Sequence, residues 1–300
     1  MRIVAALGGN ALLERGEHPD SDIQESHVRR AVAALAPLAA AHELVITHGN
    51  GPQVGMLALE SERDQALRRP YPFDALTAQT QGMIGYWLVR ELRRAVPGRP
   101  AGCLICQTLV DAGDPAFAAP TKFVGPVYDE PTARELAAGH GWAIRQDGAA
   151  WRRVVPSPEP RELPELPLIE SLVRGGAIVV CAGGGGVPVV AGPDGSLHGV
   201  DAVVDKDLTA ALLARLVRAD ALLLLTDVDA VIDGFGTPAA RPISRATAAG
   251  LRAASFPAGS MGPKVEAACR FVEATGAMAA IGSLGSAAEM LAGRAGTIIR

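Results

Sequence analysis

Lysine is nearly missing from this chain. Its 300 residues hold 28 lysines and arginines together, and only Lys122, Lys206 and Lys264 are lysine. Asparagine is rarer still, with Asn10 and Asn50 alone. A composition dominated by Ala, Gly, Arg and Pro reads as a drift that swaps Lys for Arg wherever the surface permits. The survivors then mark places where a substitute fails, because a planar guanidinium cannot replace a compact ammonium in a tight site. All five lie within two residues of glycine, proline or aspartate, in LGGNA, HGNGP, PTKFVGP, VVDKD and GSMGPKVE. Such contexts are loops at strand ends, where phosphate chemistry usually sits.

Other absences exclude whole classes. Aromatics are only 4%, so an interior drawn from 49% hydrophobic residues must be aliphatic. The mean hydropathy of +0.20 fits a well-filled globular core. A net charge of −4 and the lack of any basic run argue against nonspecific nucleic-acid binding. No apolar run reaches the length of a membrane span, and ALLLLT at 221–226 has the length of a buried strand. The chain opens on a strand-like RIVAAL rather than a signal segment, so a cytoplasmic protein is expected. Of the four cysteines, Cys103 and Cys106 have CxxC spacing but lie in the strand-like GCLICQTLV. An offset of three puts them on opposite faces of a strand. With no second CxxC and no HxxxH, core packing in a reducing compartment is expected rather than zinc. GxxxxGK[ST] does not occur, which excludes a P-loop NTPase, and neither does GxGxxG after a strand. Where a dinucleotide site wants an acidic residue after the second strand, the chain reads THGNG.

What is present alternates short aliphatic runs with helical stretches. Strands are expected at 3–7, 44–47, 102–110, 177–182, 221–226, 277–281 and 297–299. Their near-continuous apolar character suits strands buried on both faces. Helices are expected near 23–42, 54–65, 75–96, 206–217, 263–275 and 286–291. Pro263 suits a first helical turn, and Pro37 should kink or divide the first helix. Alternating strands and helices predict a mostly parallel sheet with helices on both faces. Residues 115–165 break the pattern, being rich in Pro with charged and aromatic residues, and read as an inserted flap of short antiparallel strands.

Three glycine-rich turns fall at predicted strand ends: LGGNALL, HGNGPQVG and CAGGGGVPVV. Glycine lets backbone N–H groups approach an anion closely. In open parallel sheets, ligands bind at the carboxyl ends of the strands. Lys206 lies between Asp205 and Asp207 at a helix start. Either aspartate is a candidate helix cap; the lysine is a candidate phosphate ligand held by a carboxylate. Lys264 also lies at a helix start, where the macrodipole already favours an anion. TDVDAV at 226–231 reads either as a nucleotide-contacting turn or as an ordinary Asx-rich turn. His48 reads as structural.

Taken together, ALGGNALL, THGNGPQVG, TQGMIGYWL, PTKFVGPVY, WRRVVPSP, CAGGGGVPVV, VDAVVDKDLTA, LLLTDVDAV and FPAGSMGPKVEAA resemble the carbamate kinases of the amino-acid kinase family. HGNGPQVG and the flap separate this branch from the acetylglutamate and uridylate kinases. The resemblance implies a three-layer αβα sandwich around an open, mainly parallel eight-stranded sheet, with a small protruding flap, and a homodimer. Residues 1–205 would bind carbamate or carbamoyl phosphate and include the protruding subdomain at about 115–156; residues 206–300 would bind ATP or ADP with Mg2+. The reaction implied is the reversible ATP + carbamate = ADP + carbamoyl phosphate, run toward ATP in arginine catabolism.

By the same resemblance, Gly8, Gly9 and Asn10 hold the transferring phosphoryl group. Gly49, Asn50 and Gly51 line the acceptor side, and Gly184 and Gly185 are further phosphate- or substrate-binding positions. Lys206 and Lys264 neutralise phosphoryl oxygens and Asp207 orients them. Thr226, Asp227 and Val228, with Met261, Gly262 and Pro263, meet the nucleotide. No resident metal site is implied. Many relatives carry a lysine where this chain has Ala6, and Lys122 would fill that gap as the flap closes. A kinase for another small acceptor in purine or ureide catabolism stays open, as does a silent nucleotide-binding sensor.

Overall fold

The computed structural model describes residues 1–300 except Arg15, Ser255 and 257–260, and of Asn10 the backbone only. The eight-stranded sheet orders its strands Arg245–Ala246, Thr297–Ile299, Met278–Ser283, Ala221–Thr226, Arg2–Leu7, Glu43–His48, Ile178–Val180 and Ala101–Cys103. Pairing is parallel throughout except between Met278–Ser283 and Thr297–Ile299.

The central strand shows why the sheet is two-sided. Ile3, Ala5 and Leu7 join one core, with Val28, Leu35, Ile84 and Leu88 from helices Ser21–Ala41 and Phe73–Ala95. Val4 and Ala6 join the other, with Ala210, Leu213, Ala268 and Phe271 from helices Lys206–Leu216 and Met261–Thr275. Side chains alternate across a strand, so a strand covered on both faces must be apolar at every position. Ile3–Leu7 and Ala221–Leu225 meet that demand, while Arg2 and Thr226 stand at the half-buried strand ends.

Three expectations need correction. The run 102–110 is not one strand. Ala101–Cys103 ends at the edge of the large sheet, and Gln107–Leu109 pairs with Val187–Ala191 in a second, three-stranded sheet. The Gln81 side chain holds the corner, accepting from Cys106 N at 2.9 Å and donating to Cys106 O at 3.1 Å. Cys103 and Cys106 are therefore not opposite faces of a single strand. Pro37 does not divide the first helix, which runs unbroken over Ser21–Ala41. Pro37 lies near its C-terminus, where few turns remain for a missing donor to disturb.

The third correction concerns the insertion. It holds an antiparallel sheet of Lys122–Tyr128, Ala150–Val155 and Ala143–Asp147, in that order, but also a helix, Glu130–His140. Local signals mark that helix: Asp129 accepts from Thr132 N at its start, and Gly141 closes it in the left-handed region. A third apolar cluster lies beneath this sheet, joining Val124 and Val155 to Val54, Ala58, Phe73 and Leu76.

Candidate active site

Four strands of the large sheet end at loops that meet over its carboxyl edge. Gly8 follows the first, and its N–H bonds Leu225 O at 2.8 Å. Gly49 follows Glu43–His48, and Thr226 ends Ala221–Thr226. The glycine turn at 183–185 follows Ile178–Val180. Between them lies a cleft of about 610 Å³.

The three lysines converge on this cleft. Lys206 Nζ donates to Asp207 Oδ1 at 2.6 Å, and Lys264 Nζ to Asp207 Oδ2 at 3.1 Å. One carboxylate thus holds two ammonium groups from two helix N-termini. Lys122 Nζ donates to Asp205 Oδ2 at 2.6 Å. The other oxygen of Asp205 caps helix Lys206–Leu216, accepting from Asp207 N at 2.9 Å and Leu208 N at 3.2 Å. Asp205 is therefore both the helix cap and the counter-ion of Lys122. The second role gave no signal in the sequence, because the partners lie 83 positions apart.

Burial and charge compete at each group. Burial pushes Lys206 down, and the nearby Lys264 charge adds to this; Asp207 opposes both but does not outweigh them, so Lys206 lies below the ordinary lysine value. Burial also opposes the charge on Lys122, but there Asp205 prevails and Lys122 is raised. Burial would push Asp205 and Asp207 up, yet the lysine charges hold both below the usual carboxylate range. The site is a cluster of three lysines clamped by two ionised carboxylates. Side-chain exposure grades the cluster: 12% for Lys264, 14% for Lys206 and 32% for Lys122. Lys122 is the least enclosed, at the root of the three-stranded sheet, where it pairs with Val155 and already reaches Asp205.

The remaining expected residues fall in different places. Gly8, Gly9, Gly49, Asn50, Gly51 and Gly184 line the cleft. Asn50 Nδ2 donates to Thr80 Oγ1 at 2.8 Å, so helix Phe73–Ala95 fixes this amide. A Cβ on Gly184, whose φ is +66°, would stand 2.2 Å from Asn50 Nδ2, so glycine is required on both counts. Thr226, Asp227, Val228, Met261 and Pro263 line the other end with Ile232, Phe235 and Phe256. Gly185 and Gly262 are not among the lining residues. Gly185 instead accepts from Thr108 Oγ1 at 2.7 Å and Thr209 Oγ1 at 2.9 Å, tying the turn to two neighbouring elements. Asn10 lends its backbone to the Gly9–Ala11 turn, and its side chain lies outside the described part. Gly259 and Ser260 of the GSMGPKVE motif also lie outside it.

His48 is buried beneath the cleft. Nδ1 contacts Gly49 O at 2.9 Å, and Nε2 faces Gly183, whose added Cβ would meet it at 2.3 Å. Burial pushes its pKa down to about 4. A neutral ring packed under the loops is a support rather than a proton carrier at neutral pH. Sequence reasoning gave no role to Thr80 in the TQGMIGYWL segment, to Ile232 and Phe235 just after TDVDAV, or to Phe256 at the head of FPAGSMGPKVEAA; Thr80 bonds Asn50 and the other three line the cleft.

This geometry has counterparts. The model of the amino acid kinase family matches residues 1–283. The carbamate kinase of Rhizobium meliloti (strain 1021) is 52% identical over 302 residues, covering 100% of this chain and 93% of its own. A solved structure of carbamate kinase from Giardia lamblia bound to citric acid superposes with a TM-score of 0.93 at 38% identity, covering 99% of this chain and 97% of its own. A second, bound to AMP-PNP, gives 0.90 at 38% identity, with coverage of 99% and 98%. The chain belongs to the amino acid kinase family and, within it, to the carbamate kinases.

Proposed function

We propose that the cleft transfers a phosphoryl group between the γ-position of ATP and carbamate, in either direction. The observation that carries this reading is the placement of Lys122, Lys206 and Lys264 on two buried carboxylates facing the loops at Gly8–Gly9 and Gly49–Gly51. Phosphoryl transfer needs alignment and charge neutralisation, with little covalent work by the protein. In the forward direction a carbamate oxygen bonds to the γ-phosphorus, the bond from that phosphorus to the β–γ bridging oxygen breaks, and ADP leaves with the electron pair. In reverse, a β-phosphate oxygen of ADP takes the phosphoryl group and carbamate departs. Carbamate is already a nucleophilic anion, so no general base is required, which agrees with a His48 that is buried and neutral.

Lys206 and Lys264 meet the phosphoryl oxygens, with Asp207 fixing their direction. Lys122 supplies the third charge, in place of the lysine that Ala6 does not provide. The backbone N–H groups of Gly9 and Asn10 face the same group, the Gly8 N–H being taken by Leu225 O. The acceptor lies toward Gly49, Asn50, Gly51 and Gly184. The nucleotide lies toward Thr226–Val228 and Met261–Pro263, which supports dividing the chain at about residue 205 into an acceptor part and a nucleotide part across one continuous sheet. Mg2+ enters as part of the nucleotide substrate. Among the described residues there is no cluster of three or more His, Cys, Asp or Glu placed to hold a metal ion, and of the three carboxylates that line the cleft Asp205 and Asp207 are engaged by lysines. Such an ion takes its ligands mainly from phosphates and water. A cytoplasmic homodimer working toward ATP in arginine catabolism completes the reading; no described helix is long and apolar enough to cross a membrane.

The test is formation of ATP from ADP, Mg2+ and carbamoyl phosphate, with acetyl phosphate as the comparison donor. Turnover with carbamoyl phosphate at least tenfold above acetyl phosphate is expected. Turnover with neither donor would contradict the reading.

A further inference from the structure

Helix Gly51–Arg63 begins at the acceptor loop, yet one of its faces is given over to something else. Gly55, Ala58, Leu59 and Glu62 recur at the i, i+3, i+4, i+7 spacing that lines up along one side of a helix. All four face the inserted sheet. Gly55 makes the closest approach: a Cβ there would stand 2.3 Å from Gly125 Cα in strand Lys122–Tyr128. Gly125 has φ of +70° and its carbonyl accepts from Arg152 Nε at 2.7 Å. Ala58 and Leu59 border the narrow gap beneath Val124, Pro126 and Tyr128.

Two turns further on, roughly 10 Å along the axis, Glu62 locks the far end. Its Oε1 accepts from Arg153 Nη1 at 2.8 Å and from Trp142 Nε1 at 3.2 Å. The Arg153 guanidinium lies over the Trp142 ring at 4.6 Å and over Phe73 at 5.0 Å. Trp142 and Arg153 belong to the insertion, and Phe73 and Glu62 to the body. The Glu62 carboxylate is 9% exposed, and Oε2 is buried with no hydrogen-bond partner among the described residues. A buried carboxylate with one oxygen unmet is costly unless the ion pair is kept, so the seat favours the sheet docked.

We infer that Glu62 is a positioning residue for Lys122. One helix face joins a backbone-to-backbone contact at Gly55 to an ion-pair clasp at Glu62. Two contacts two turns apart fix both the height and the rotation of the strand that starts at Lys122. The same helix carries Gly51 at its first position, so the acceptor loop and the flap lysine are referenced to one rigid rod. This rests on the role given to Lys122 above, and deepens it.

The test combines one readout that is independent of catalysis with one that is not. Hydrogen exchange of the Lys122–Tyr128 amides should speed up at least tenfold in Glu62→Ala and in Gly55→Ala, with exchange in Arg2–Leu7 unchanged. Glu62→Gln, which keeps the shape and one acceptor, should recover most of the protection. In ATP formation from carbamoyl phosphate, Glu62→Ala should lower kcat at least tenfold while ADP affinity by calorimetry stays within about twofold. In a Lys122→Ala background, Glu62→Ala should cost less than twofold more, because its effect passes through a side chain already removed. Unchanged exchange in the strand, or a full tenfold loss in the Lys122→Ala background, overturns the inference. A Lys122→Ala enzyme with wild-type turnover would instead refute the role of Lys122, and the clasp as its positioning device would fall with it.

Discussion

At the residue scale, three ammonium groups are held by two aspartates, and the two carboxylates do different work. Asp207 bridges Lys206 and Lys264, while Asp205 divides its oxygens between a helix N-terminus and Lys122. Both carboxyls lie below their ordinary values in the folded protein. A lowered folded value contributes stability above the unfolded carboxylate value of about 3.9. That contribution is lost as pH falls through the lower folded values. Asp205→Asn removes the Lys122 ion pair but leaves an oxygen to cap the helix. Its melting temperature should fall well below wild type at pH 7, and the gap should narrow as both proteins are melted toward pH 2. A gap that is constant across that range would show that the carboxylate charge contributes nothing and that only the cap matters.

At the scale of elements, the loops are placed by contact distances that glycine alone allows. A Cβ on Gly49 would stand 2.9 Å from Gly9 N and 3.3 Å from Lys206 Cδ, so the two loops and the lysine stem touch through that position. Among the described residues beyond its chain neighbours, a Cβ on Gly9 would meet only Pro52 Cδ, at 3.9 Å, an ordinary contact. Gly49→Ala should therefore destabilise the fold by roughly 1–3 kcal/mol, the usual cost of overpacking. Gly9→Val should melt near wild type yet lose turnover, because its side chain would project into the cleft where the proposed reading brings the phosphate. Equal melting temperatures for the two variants would show that the loops have room to separate.

The same scale shows what was legible in advance. RIVAAL, ALLLLT and the glycine turns could be read because burial on both faces and close anion approach each leave a local mark. Lys206 and Lys264 could be read because each sits at a helix start beside its own motif. The Lys122–Asp205 pair was not legible, since nothing local joins residues on different elements. The break after Cys103 was hidden for the same reason: the corner is held by Gln81, from another helix. The helix Glu130–His140 did carry local marks, Asp129 before it and Gly141 after it, but the surrounding prolines drew attention to strands instead.

At the scale of the whole molecule, one sheet gathers several loops at a single edge. Its centre, Arg2–Leu7 between Glu43–His48 and Ala221–Thr226, sets the Gly8–Gly9 loop between the Gly49–Gly51 loop and the Thr226–Val228 turn. The inserted sheet brings Lys122 to the same cleft, seated on helix Gly51–Arg63. The central claim is that compact ammonium groups, packed too closely for a guanidinium, neutralise the transferring group. Turnover of Lys206→Arg in ATP formation from ADP and carbamoyl phosphate tests it most directly. The variant keeps the charge but enlarges a head held 2.6 Å from Asp207 Oδ1, on a stem packed against Gly49. The account predicts a fall in kcat of about 10²–10³ in a protein that still folds; a Lys206→Arg enzyme that turns over at the wild-type rate would contradict it.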